Sequence, residues 1–254
     1  MLDAFLSELT FHYFLVFCRV GSALMLLPGF GEFYVPARIR LLFALAVSLI
    51  LLPVVEPLLP KAPPQAMAAF VVISGEVVAG LFIGALARIL QSILHIAGMI
   101  IAFQSSLASA ILFDASQGSQ GSVVGSFMTI FGITLLFVTN LHHVLLEGLV
   151  ASYQLFGPET FPPVDDFAKS AVVLMSESFL VALKISSPLV VVGLLVYLGS
   201  GMMSRLMPNM QVFFVIIPLQ VLVSFYVLMI SLSATMLWYL QHFESSFRDL
   251  FRLN

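Results

Sequence analysis

Polar residues are so sparse along this chain that they mark where its elements begin and end. Apolar stretches run over residues 11–27, 41–55, 67–113, 123–153, 171–199 and 212–238. Most are long enough to cross a bilayer core as helices, for which about 20 apolar residues suffice. The first closes on Pro28-Gly29, and Pro36 stands ready to open the second. Prolines at 53, 57, 60, 63 and 64 disfavour helix and predict a semi-rigid extended connector after the second stretch.

The stretch 67–113 contains no proline. As one helix it would be roughly 70 Å long, more than twice the thickness of a bilayer core. It must either turn near 88–95 or run as a long bent helix that leaves the membrane. The last third reads as a helical hairpin, with Pro188 in one arm and Pro218 in the other, followed by a short amphipathic tail over 243–253. The pattern predicts an all-α polytopic membrane protein.

Composition sharpens that reading. Apolar residues are 61% of the chain and charged residues 9%, more apolar surface than a soluble domain of this length can hide. Ten Lys and Arg against thirteen Asp and Glu leave no basic surface for nucleic acid. Cys18, the one cysteine, reads as a packing residue. Asp3 and Glu8 replace the positive start of a secretory signal, so the first stretch is expected to be retained. Arg248 and Arg252 favour a C-terminus on the cytoplasmic side.

Four constellations carry candidate chemistry. The first is Gln104-Ser105-Ser106-Leu107-Ala108-Ser109-Ala110, followed by Ile111-Leu112-Phe113-Asp114 and a Gly/Ser run. It is either a loop that dips into a pore and blocks it with Leu112 and Phe113, or a surface connector. The second is His142-His143 with Glu147, where His143 and Glu147 share a helix face, and a local polar pair is favoured over a metal site. The third is the set of ionisable residues within apolar surroundings: Arg19, Glu76, Arg88, Glu177 and Lys184. Charges at membrane depth are functional by default, or else these positions lie in a protein–protein interface with polar partners; Glu76 and Arg88 stand too far apart on one straight helix to pair directly. The fourth is two G-x-x-x-G spacings, Gly80/Gly84 and Gly121/Gly125, which permit close helix approach. No nucleotide loop, nucleophile elbow or metal framework appears, so neither enzyme activity nor a cofactor is expected.

The order of several motifs is similar to a known family. Arg19, Pro28-Gly29-Phe30-Gly31 and Val35-Pro36 with Arg38 and Arg40 come first. Gly75-Glu76 with Gly80 and Gly84, Ala97-Gly98-Met99-Ile100-Ile101 with Gln104, and Asn140 with His142-His143 follow. Ser204-Arg205-Leu206-Met207-Pro208 with Phe213 and Pro218 completes the series. Together they resemble the FliR family of flagellar export-gate proteins over essentially the whole chain. Departures are Ser105-Ser106 where a glycine is expected soon after Gln104, Ala115 where a proline is expected, and Leu141 where a glycine often stands.

The resemblance implies a non-enzymatic subunit of the flagellar type III secretion export gate in the bacterial inner membrane, at the basal body. It implies a FliP-like front part over about 1–165 and a FliQ-like hairpin and tail over about 166–254. The implied partners are FliP-like and FliQ-like subunits, FlhB-like and FlhA-like apparatus proteins, membrane lipid and, transiently, unfolded flagellar substrates. Gln104, Ser105, Ser106, Ser109, Ala110, Ile111, Leu112, Phe113 and Asp114 would then belong to a channel plug. Arg19, Arg38, Arg40, Glu76, Arg88, Lys184, Arg205 and Pro208 would serve partner interfaces or structure. A virulence injectisome homologue, or a small-solute transporter using Glu76, Arg88 and Lys184, are the alternatives.

Overall fold

The computed structural model describes residues 2–106, 122–158, 161–206 and 212–253, and all regular structure among them is helical. The helices are α1 (Leu2–Leu24), α2 (Ala37–Val55), α3 (Ala66–Gln104), α4 (Val123–Val138), α5 (Leu141–Leu155), α6 (Val164–Leu206) and α7 (Val212–Phe251). Among the described residues, four segments are long and apolar enough to cross a membrane: Ala37–Leu58, α3, α6 and α7 from Val215. The α4–α5 pair is a broken fifth candidate. The chain is an all-α polytopic membrane protein.

Helix lengths exceed what a bilayer asks. α3 has 39 residues, α6 43 and α7 40. At about 1.5 Å per residue their contours approach or exceed twice a hydrocarbon core of about 30 Å. α3 is continuous through 88–95, so the turn considered there does not occur and the single long helix does. α6 and α7 each keep their proline, Pro188 and Pro218, inside the helix.

Three sequence boundaries move. α2 runs through Pro53 to Val55, and Glu56–Leu58 then forms a 3-10 turn, so the proline-rich connector begins later and less extended than its composition implies. The stretch 123–153 is not one element. Asn140 takes a left-handed backbone (φ 60), which interrupts the hydrogen-bond ladder between α4 and α5. The tail over 243–253 is not separate either: α7 continues to Phe251, and Phe243, Phe247 and Phe251 form a buried stripe on one helix face.

Two compact units divide the chain. The first contains residues 1–90, 136–175 and 243–254. Its core is built from Leu15, Val20 and Ala23 of α1, Ile83 and Leu86 of α3, Leu145 and Leu149 of α5, and the Phe243–Phe247 stripe. Gly80 and Gly84 let α3 lie directly on α1. A Cβ on Gly84 would fall 2.7 Å from Leu26 Cβ and 2.8 Å from the Ala23 carbonyl, and one on Gly80 would collide with the Arg19 carbonyl and Ser22 Oγ. This pair is the close-approach motif expected from its spacing.

The second unit contains residues 91–135 and 176–242. Here Ile93, Leu94 and Ala97 of α3 pack with Met128 of α4, Ile185 of α6 and Tyr239 of α7 in its core. The small-residue contact is Gly98 against Gly125, where a Cβ on Gly98 would strike the Gly125 backbone. Ser122 Oγ reinforces it by reaching the Gly98 carbonyl at 3.3 Å.

Candidate functional site

Two buried charges of the first unit, Arg19 and Glu76, form one closed arrangement. Arg19 and Glu76 side chains are each 1% exposed and meet as a bidentate pair, Nε to Oε2 at 2.8 Å and NH2 to Oε1 at 2.7 Å. NH1 of Arg19 donates to Ser152 Oγ at 3.2 Å, and NH2 also donates to the Phe156 carbonyl at 3.0 Å. The guanidinium carbon lies 3.9 Å from the centroid of the Tyr153 ring. Every face of the cation is therefore met: carboxylate, hydroxyl, carbonyl and π surface. The pair ties α1 to α3, and Ser152, Tyr153 and Phe156 bring in α5 and its end. The pair is almost wholly enclosed, and a small pocket lined by Arg19, Gly75, Glu76, Gly157, Phe161 and Pro162 lies against it.

Arg88, the arginine of α3, pairs with Glu32 at 3.0 Å. Glu76 and Arg88 thus have separate partners, both outside their own helix. Arg40 is held locally, its NH2 donating to the carbonyls of Val35 at 3.0 Å and Glu32 at 3.3 Å. Those bonds fold the link before α2 back onto its first turn, where Pro36 stands as the N-cap. Arg38, Lys184 and Arg205 are exposed.

The second polar cluster of the sequence resolves into ring packing. His142 stacks on Phe137 at 5.1 Å and lies 4.1 Å from His143, while the Glu147 carboxylate lies 4.0 Å from Arg248. Among the described residues no group of three or more metal-binding side chains converges.

At the far end of α3, three residues of the segment expected to form a plug are described, Gln104, Ser105 and Ser106, and all are engaged. The backbone N–H of Ser105 bonds the Ile101 carbonyl at 2.9 Å, and its hydroxyl bonds the Ala102 carbonyl at 3.1 Å. Ser106 donates its hydroxyl to Gln220 Oε1 at 2.9 Å, and Gln220 Nε2 donates to the Gln104 carbonyl. The Gln104 side chain lies across Gly193 of α6, where a Cβ would come 2.7 Å from its Oε1. Ser106 has φ 58, so one of the two serines that replace an expected glycine occupies backbone that favours glycine. Ser109, Ala110, Ile111, Leu112, Phe113, Asp114 and Pro208 lie outside the described residues.

Sequence reasoning missed Glu32, Ser152, Tyr153 and Gln220. Glu32 was findable as an acid in a short link with two nearby arginines. Ser152, Tyr153 and Gln220 were not, because each meets its partner from a distant part of the chain.

Set beside known proteins, the chain matches the family model described as bacterial export proteins, family 1, over residues 10–246. It is 37% identical over 225 residues to the flagellar biosynthetic protein FliR of Caulobacter vibrioides, covering 88% of this chain and 90% of that protein. It is 30% identical over 226 residues to FliR of Bacillus subtilis, covering 87% and 86%. The Yop proteins translocation protein T of Yersinia pestis is 29% identical over 167 residues, covering 63% of this chain and 62% of that protein. Because the family model covers residues 10–246 and the FliR relatives are matched over most of their own length, this chain belongs to the FliR family of bacterial export proteins.

Proposed function

We propose that the chain is a non-enzymatic wall subunit of the flagellar type III export gate, in the bacterial inner membrane at the basal body, through which unfolded flagellar proteins pass. The observation that carries this reading is similarity to FliR proteins over nearly the whole chain, at up to 37% identity. The fold supports it. α6 and α7 outrun a bilayer core yet remain apolar and uncovered on long faces, with Val172, Phe179, Leu194 and Leu198 exposed on α6 and Leu222, Phe225, Met229 and Ile230 on α7. Such surface needs lipid over part of its length and apolar protein over the rest.

In this reading the covering proteins are FliP-like and FliQ-like subunits, with FlhB-like and FlhA-like proteins in the same apparatus. Residues 1–165 take the FliP-like part, and 166–254 form the FliQ-like hairpin and tail. The segment from Gln104 to Asp114 seals the channel, with Leu112 and Phe113 as its apolar block. The flagellar system is favoured over a virulence injectisome because the match to translocation protein T is shorter as well as less identical.

Two measurements test this. Cells carrying Gly/Ala replacements across 107–122 in an otherwise intact apparatus are expected to leak small ions, read as a fall in membrane potential. Unchanged permeability removes the sealing role. Arg38→Gln and Arg205→Gln are expected to lower recovery of the partner subunits on affinity purification in mild detergent. These two arginines are chosen because they are exposed, whereas Arg40 is bound to its own chain. Full recovery of every partner with both variants would place the interface elsewhere.

A further inference from the structure

The end of α3 is held in a way that neither its helix nor its sequence requires. A helix commonly ends in a residue with left-handed backbone, and glycine usually takes that place because a Cβ is strained there. Here the left-handed residue is Ser106, φ 58. A serine in that conformation is held by its surroundings, and the described contact is Gln220. Its side chain, 2% exposed on α7, uses both ends of its amide across the gap between helices. The oxygen accepts from the Ser106 hydroxyl, and the nitrogen donates to the Gln104 carbonyl, one of the last-turn carbonyls that a helix leaves unsatisfied.

The pairing is directional. A glutamine offers one acceptor and two donors in a plane, so it can satisfy a hydroxyl and a carbonyl at once only when the two are presented side by side. Ser106 presents its hydroxyl beside the Gln104 carbonyl because its backbone is left-handed; an extended backbone there would carry the hydroxyl elsewhere. On the other side, Gly193 of α6 has no Cβ and so admits the Gln104 side chain. The terminal turn of α3 thereby meets both α6 and α7 through polar side chains, Gln104 against Gly193 and Gln220 against Ser106 and the Gln104 carbonyl.

We propose that Gln220 is a positioning residue: it locks the backbone at Gln104–Ser106 and so sets the direction in which the chain leaves α3 toward the segment assigned to the channel seal. The consequence for the seal rests on the function proposed above; the lock itself does not. Loss of the lock is expected to free the last turn of α3 locally while the Gly98–Gly125 contact keeps the rest of the helix in place.

The test uses the purified export complex and the same strains in cells. Gln220→Met keeps the length of the side chain and removes both hydrogen bonds. Amide hydrogen exchange in peptides covering 101–106 is expected to rise about tenfold, the effect of losing two modest net hydrogen bonds, while α4 peptides stay unchanged. Ion leak should rise in the same strain. Ser106→Gly, which makes left-handed backbone free of strain, should suppress both effects when combined with Gln220→Met, and Ser106→Ala should not. A merely space-filling role for Gln220 gives no such distinction between glycine and alanine.

Unchanged exchange in Gln220→Met overturns the lock. Faster exchange without leak, in a background where replacing 107–122 does leak, overturns the positioning role. If neither variant leaks, the sealing function is what fails, and the exchange result alone then decides the lock. Should Gln220→Met fail to assemble, Ser106→Ala alone serves in its place. It keeps the strained Cβ and removes the hydroxyl that Gln220 accepts, so accelerated exchange at 101–106 supports the lock and wild-type exchange overturns it.

Discussion

Glu76→Ala is expected to remove most of the protein from the membrane fraction and to abolish motility, although the residue lines no described channel. The substitution leaves the Arg19 guanidinium charged and enclosed, with Ser152, Phe156 and Tyr153 still around it but no counter-charge. Breaking one partner of a buried pair typically costs about 3–5 kcal/mol, against a total stability of roughly 5–15 kcal/mol for a domain. Because the pair joins α1 to α3, the loss falls on the packing of the first unit as a whole. Arg19→Lys is expected to lie between wild type and Glu76→Ala. A lysine ammonium keeps the charge but cannot reproduce the fork that meets both carboxylate oxygens and reaches Ser152 and Phe156 together.

The informative variant is the double replacement, Arg19→Met with Glu76→Leu. It removes the charge and its counter-charge together, so it should be less damaging than Glu76→Ala alone. Immunoblots of membrane fractions and thermal unfolding of the detergent-purified complex both report this order. A double variant as depleted as the single one would mean that the polar contacts, and not the stranded charge, set the cost.

Gly80→Val is the second large effect, and it arises from shape alone. A Cβ at Gly80 meets the Arg19 carbonyl and Ser22 Oγ, and the carbonyl belongs to the backbone of α1 and cannot rotate aside. The helices must move apart, which for an overpacked core costs about 1–3 kcal/mol, and more when the obstacle is backbone. Moving α1 away from α3 also stretches the Arg19–Glu76 pair, four residues from Gly80, so the two losses compound. The contrast is Gly199→Ala in α6, where nothing lies within 4 Å of the added Cβ. There the change should be neutral or stabilising by up to about 1 kcal/mol, through helix propensity. Equal losses at Gly80 and Gly199 would show that glycine content, and not the α1–α3 contact, matters.

Different layers of the fold were legible to different degrees. The long helices follow from uninterrupted apolar runs, whose length alone requires the backbone to satisfy its own hydrogen bonds. The boundaries were less legible. Pro53 suggests a stop, yet α2 continues past it, and the apolar run 123–153 hides the break at Asn140 because hydropathy does not register the sign of φ. The departures at Ser106 and Leu141 did point to the right places. One falls on a left-handed residue and the other follows directly after one.

The candidate site divides in the same way. That Arg19, Glu76 and Arg88 need partners follows from their apolar surroundings, since an unpaired charge there is untenable. Which partner each takes does not follow: Arg19 could as well have met Glu32, which in fact pairs with Arg88. Gln220 looks like one polar residue in an apolar helix until the end of α3 is laid beside it.

By itself, then, the order of residues determined an all-helical membrane protein, the family it belongs to and the charges that demand compensation, because hydropathy and motif order are properties of position along a chain. Only the tertiary structure decided that Arg19 closes on Glu76, that Gly98 meets Gly125 and that Gln220 grips the end of α3. Those contacts depend on which helix faces lie side by side, and no local preference of the backbone encodes that.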